Sequence, residues 1–145
     1  MTTACANDVL EMALGLERIG QNFYTALALA SDDAKVRDFC FRAAGEEGRH
    51  FAAFQHLRQR CAARGRADRW ISLAEQHVQL DARAVHRVAL SGDIHAAAEL
   101  AIRMEQDAII FYESLVDQMP ASAAVIHAII AEERRHLSAL QLLVP

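Results

Sequence analysis

Apolar residues recur along most of this chain at alternating steps of three and four, the spacing of one buried stripe on a helix. The pattern predicts four long helices, over about 9–30, 33–64, 94–119 and 121–143. Asp8 is placed to cap the first, with Glu11 reaching back in a D-x-x-E capping box. Ser31-Asp32-Asp33 turns the chain into the second helix, which stops at Gly65. Ser91-Gly92-Asp93 opens the third, and Pro120 marks the turn into the fourth. Residues 65–93 form a long crossover with an Arg-rich stretch, RGRADRW, and a short helix around Leu73–Leu90. Connections that run short, long, short predict an all-α four-helix bundle with one crossover, a single domain over 1–145.

The stripes are not purely apolar. Helix two reads Val36, Cys40, Ala43, Glu47, His50, Phe54, Leu57 and Cys61 along one face. Helix four reads Ile126, Ile129, Glu133, His136, Leu140 and Leu143. Helix one gives Leu14, Glu17, Gln21, Tyr24 and Ala28; helix three gives Ala98, Ala101, Glu105, Ala108, Tyr112 and Leu115. Each helix therefore turns one Glu into the bundle, and two of them add a His one turn later.

The same residues expose a repeat. LERIGQNFY in helix one matches MEQDAIIFY in helix three, with Glu and Tyr both offset by 88. EEGRH in helix two matches EERRH in helix four at an offset of 86. A two-helix unit has been duplicated, each copy keeping its polar residues.

Composition sharpens this picture. Hydrophobic residues make up 53% of the chain and aromatics 6%, enough for a core but few for a sandwich or barrel. The net charge of −4 disfavours a general nucleic-acid binder. No apolar stretch reaches the ~18 residues a membrane span needs, and the first ten residues do not resemble a secretory signal. Cys5, Cys40 and Cys61 form no C-x-x-C pair and are odd in number, which speaks against a disulfide framework. A cytoplasmic location is expected.

Four carboxylates in a bundle core do not persist as bare charges, because each unpaired buried ion costs several kcal/mol. No Lys or Arg shares their stripes. Two divalent cations would neutralise them, and the rest of the chain is then balanced in charge. In that reading Glu47 and Glu133 bridge, Glu17 and Glu105 bind terminally, and His50 and His136 give one nitrogen each. The i, i+3 spacing puts each Glu and His on one helix face. Two Glu and two E-x-x-H motifs form the di-iron or di-manganese carboxylate pattern of helical bundles. So many oxygen donors favour iron, or manganese, over zinc or copper.

With these residues in view, nearly the whole chain resembles the rubrerythrin-like branch of the ferritin-like superfamily. The resemblance implies a ferritin-like bundle with two iron ions ligated by Glu17, Glu47, His50, Glu105, Glu133 and His136. It also implies reaction with hydrogen peroxide or O₂. Tyr24 and Tyr112 match the family tyrosines that hydrogen-bond ligand carboxylates, and Gln21, between Glu17 and Tyr24, is a candidate for orienting a ligand. The chain departs from the family twice. It has no cysteine pattern for a rubredoxin domain, so electrons are expected from a separate donor protein or a small reductant. Ala101 and Ile102 stand where the family usually has a further Glu.

Alternative functions are iron binding and storage, or hydroxylation of an organic substrate. His56, His77, His86, His95 and His127 show no ligand spacing and are expected at the surface. Cys40 and Cys61 read as small core residues. The basic cluster Arg58, Arg60, Arg64, Arg66 and Arg69 reads first as a solvated helix end that complements the helix dipole, and second as a dock for an acidic partner. A homodimer, with no nucleic-acid or membrane partner, completes the expectation.

Overall fold

A computed structural model describes residues 3–60 and 81–144. Among the described residues five α-helices follow one another: α1 (Thr3–Ala30), α2 (Ala34–Arg60), α3 (Ala82–Leu90), α4 (Ile94–Gln118) and α5 (Ala123–Gln141), with a 3₁₀ turn at Pro120–Ser122 before the last. No strand occurs among the described residues. The fold is the expected all-α, ferritin-like bundle.

The helices start where side-chain oxygens can accept from free backbone amides. Asp33 Oδ1 accepts from the amides of Lys35 at 2.8 Å and Val36 at 3.3 Å. Asp93 Oδ1 does the same for Ala96 at 3.0 Å. Ser31 and Ser91, each two residues earlier, accept from the amides of Asp33 and Asp93. The turns before α2 and α4 thus share one Ser-x-Asp form, and in the second of them Gly92 takes a φ of +80°, a conformation that favours glycine. The short helix in the crossover begins at its own cap, Asp81, whose carboxylate accepts from Arg83 and Ala84.

The start of α1 differs from the expectation. The helix begins at Thr3, so Asp8 lies inside it and not at its N-terminus. Neither Gly nor Pro separates Thr3 from Asp8, and nothing stops the helix from extending. Glu11 is turned into the core, 2% exposed. The expected ends of helix two and of the crossover helix, at 61–64 and 73–80, lie outside the described residues, as do Cys61, His77, Arg64, Arg66 and Arg69.

Helices α1 and α2 pack as one antiparallel pair and α4 and α5 as the other. The pairs meet through α1 against α4 and α2 against α5, while α3 lies across α1 and α4. Helix α1 is consequently buried over most of its circumference, with Ala13 through Glu17 all buried. Phe23, Phe54, Leu14, Leu27, Leu115, Ile126 and Leu140 fill the interior, each buried side chain contributing about 1.5–3 kcal/mol. Every predicted stripe residue in the described region is buried except Gln21 and Leu143, which are half-buried. Among the described residues no single helix is long and apolar enough to cross a membrane.

Cys40 sits in this interior as a free thiol, and burial pushes its pKa up to about 12. In a Cys5→Ser/Cys61→Ser variant, iodoacetamide at pH 8 should leave the native protein unmodified and alkylate it only after unfolding in guanidinium. Rapid labelling of the native chain, read by mass, contradicts this packing.

Candidate metal centre

The four inward glutamates and two histidines meet midway along the bundle. Glu17 comes from α1, Glu47 and His50 from α2, Glu105 from α4, and Glu133 and His136 from α5, and all are nearly inaccessible to solvent. They form two overlapping groups, Glu17–Glu47–His50–Glu133 and Glu47–Glu105–Glu133–His136. Within each group the donor atoms lie within 4.8 Å of one another.

Glu47 and Glu133 divide their oxygens between the groups. His50 Nδ1 lies 3.0 Å from Glu133 Oε1 and 3.6 Å from Glu47 Oε2. His136 Nδ1 lies 3.1 Å from Glu133 Oε2 and 3.6 Å from Glu47 Oε1. Glu17 Oε2 faces only His50, at 3.4 Å, and Glu105 Oε1 faces His136, at 3.3 Å. Two carboxylates in this arrangement can each join two centres, while the other two each serve one.

Further bonds tie the halves of the molecule together. Tyr24 on α1 donates to Glu105 on α4 at 2.5 Å, and Tyr112 on α4 donates to Glu17 on α1 at 2.6 Å. Burial and the adjacent carboxylates hold both phenols well above their ordinary pKa, so each keeps its proton and donates it.

Two residues of the site were not singled out in the sequence. Glu46 Oε2 lies 2.5 Å from His136 Nε2, and Glu132 Oε2 lies 2.6 Å from His50 Nε2. Each is the first Glu of an EE-x-x-H doublet, and each reaches the histidine of the other half. The doublet's recurrence in both copies was the available signal. A carboxylate on Nε2 keeps that nitrogen as a donor, so that once Nδ1 gives up its proton its lone pair points inward, as metal-binding imidazoles require. With metal bound, Glu132→Ala should weaken the His50 site roughly 10–100-fold, and Glu46→Ala the His136 site by a similar factor. A metal titration in which either variant weakens the site on its own helix rules out this crossed support.

Gln21 stands apart from the group. Its amide accepts from Arg18 Nη1 at 3.1 Å and lies over Gly48, where a Cβ would come within 2.9 Å of Nε2. Four residues after Glu17 on a helix, Gln21 is rotated about 40° off its line, toward α2. The expected role in orienting a ligand therefore has no support in its contacts. His56, His86, His95 and His127 are exposed.

Metal fits the donor set on two grounds. Glu17 Oε2 is buried without a hydrogen-bond partner, an expensive state for a carboxylate oxygen that a cation would relieve. Four carboxylates with two imidazoles are also the donors that iron and manganese prefer.

No curated protein and no solved structure matches the chain. The family model for rubrerythrin matches residues 8–144, and the chain belongs to the rubrerythrin family.

Proposed function

We propose that this chain holds two iron ions, or manganese in their place, and is an oxidoreductase that reduces hydrogen peroxide or O₂ with electrons from an external donor. The observation that carries the reading is the division of Glu47 and Glu133 oxygens between two histidine-bearing groups. A structural carboxylate network has no need of such symmetry.

The metal pair, when bound, supplies electrons and polarises the O–O bond. The chain does the rest. Glu17, Glu47, His50 and Glu133 hold one ion; Glu47, Glu105, Glu133 and His136 hold the other. Tyr24 and Tyr112 fix the terminal carboxylates through one oxygen each, leaving Glu17 Oε2 unshared for binding. Phe23, Phe54 and Phe111, beside the tyrosines, keep bulk water away. Reduction of one peroxide to two waters consumes two electrons and two protons. An external one-electron carrier or a small reductant provides the electrons.

Anaerobic reconstitution followed by elemental analysis tests the reading. About two iron or manganese ions per chain are expected, with reoxidation by peroxide and by O₂ measured next. A wild-type chain that binds no metal overturns it.

A further inference from the structure

Resting on that reading, the structure points to the size of oxidant the centre admits. A cavity of about 20 Å³ is lined by Glu17, Glu47, Glu105 and Glu133. Neither histidine lines it. It therefore opens from the carboxylates toward α1 and α4, on the side away from the imidazoles and their partners Glu46 and Glu132.

Its walls come from Leu16, Gly20 and Phe23 on α1 and from Ala101, Met104 and Ala108 on α4. Small residues face the carboxylates. Gly20 is the tightest of these positions: a Cβ there would stand 3.3 Å from both Cδ and Oε1 of Glu47. Ala108 occupies the equivalent place in the second half, 88 residues on. Of the lining residues only Met104 is half-exposed, and all the others are buried. The way in thus runs beside a thioether side chain, the most adaptable of the apolar types.

The volume decides what fits. A water needs ~10–15 Å³ measured this way, so the cavity accommodates one water or a two-atom oxidant and no branched carbon group. We propose that Gly20, Ala101, Met104 and Ala108 form a steric filter that passes hydrogen peroxide to the carboxylate cluster and excludes alkyl hydroperoxides and larger organic substrates. This sets the hydroxylase alternative aside on grounds of space.

The test uses the whole iron-loaded chain under anaerobic conditions, with hydrogen peroxide, tert-butyl hydroperoxide and nitric oxide as probes. Rates are referred to those of ferrous iron in a small carboxylate chelate, so that the intrinsic reactivity of each peroxide cancels. Wild type should favour hydrogen peroxide by roughly 100-fold, the scale on which a pocket rejects excess bulk. Met104→Ala should widen the mouth and bring the preference below about tenfold. Ala101→Val should keep its iron yet lose the nitric oxide complex seen by electron paramagnetic resonance, with peroxide oxidation slowed about tenfold or more. Wild-type discrimination under about tenfold, or an Ala101→Val chain that binds nitric oxide normally, overturns the filter. A chain with no iron overturns the oxidoreductase reading instead, and iron counted on the same samples separates the two failures.

Discussion

A chain carrying both Glu47→Ala and Glu133→Ala should retain close to no iron after reconstitution under conditions in which wild type holds about two ions. The reason lies in how ligands are shared. Both residues belong to both groups of donors, so the double variant leaves Glu17 with His50 at one position and Glu105 with His136 at the other. Two protein ligands per ion are too few for a stable oxygen-rich site. Glu17→Ala provides the contrast, because Glu17 serves one group only. It should drop the content to about one ion, with Glu47, Glu105, Glu133 and His136 intact. Helicity should survive in the double variant, since His50 and His136 keep Glu132 and Glu46 on their outer nitrogens; circular dichroism checks this. Full iron content in the double variant would mean that Glu47 and Glu133 do not bridge. Equal losses from Glu17→Ala and Glu47→Ala would mean that the six residues hold a single ion.

Much of this centre was legible in the sequence, because the relevant signal is periodic. An acid on an apolar stripe is conspicuous, and Glu17, Glu47, Glu105 and Glu133 each broke such a stripe at a matched offset. Burial then followed from helix geometry alone. Glu46 and Glu132 were less legible because they sit about 100° around the helix from their neighbours, at a boundary where charged residues are ordinary. Their roles depend on α2 and α5 crossing so that each reaches the other's histidine. Periodicity within one helix carries no information about that crossing. Gln21 shows the converse error: it lies near the stripe, yet a rotation of about 40° is enough to take its amide to Arg18 and Gly48. The N-terminus of α1 was misplaced for another reason. A good capping sequence at Asp8 is only a local preference, and a helix-compatible stretch before it overrides that preference. The cavity beside the carboxylates takes its volume from the packing of α1 on α4, which periodicity within one helix does not report.

Metal loading should release about four protons per chain at pH 7. Burial alone would drive His50 and His136 neutral, but hydrogen bonds to the surrounding carboxylates outweigh it and hold both imidazoles protonated well above their ordinary range. Burial, then the charges of Glu47 and Glu133, raises Glu17 well above a normal carboxyl, whereas Glu47, beside Glu17 and both histidines, is held low despite its burial. Burial and Glu133 push Glu105 up to about 8. Both imidazoles, Glu17 and Glu105 are thus all biased toward their protonated forms. Metal requires all four groups deprotonated. The sign follows directly: protons compete with metal, so affinity rises with pH. With two protons displaced per ion, it should rise about a hundredfold per ion for each pH unit below 7. The slope should relax above about pH 8, where Glu105 loses its proton before metal arrives. Anaerobic calorimetric titrations in two buffers of different ionisation enthalpy count the protons, and Glu105→Gln should lower the count by about one. Release of one proton or none in wild type would mean that the imidazoles are already neutral and Glu17 and Glu105 already ionised before metal arrives, which overturns this assignment.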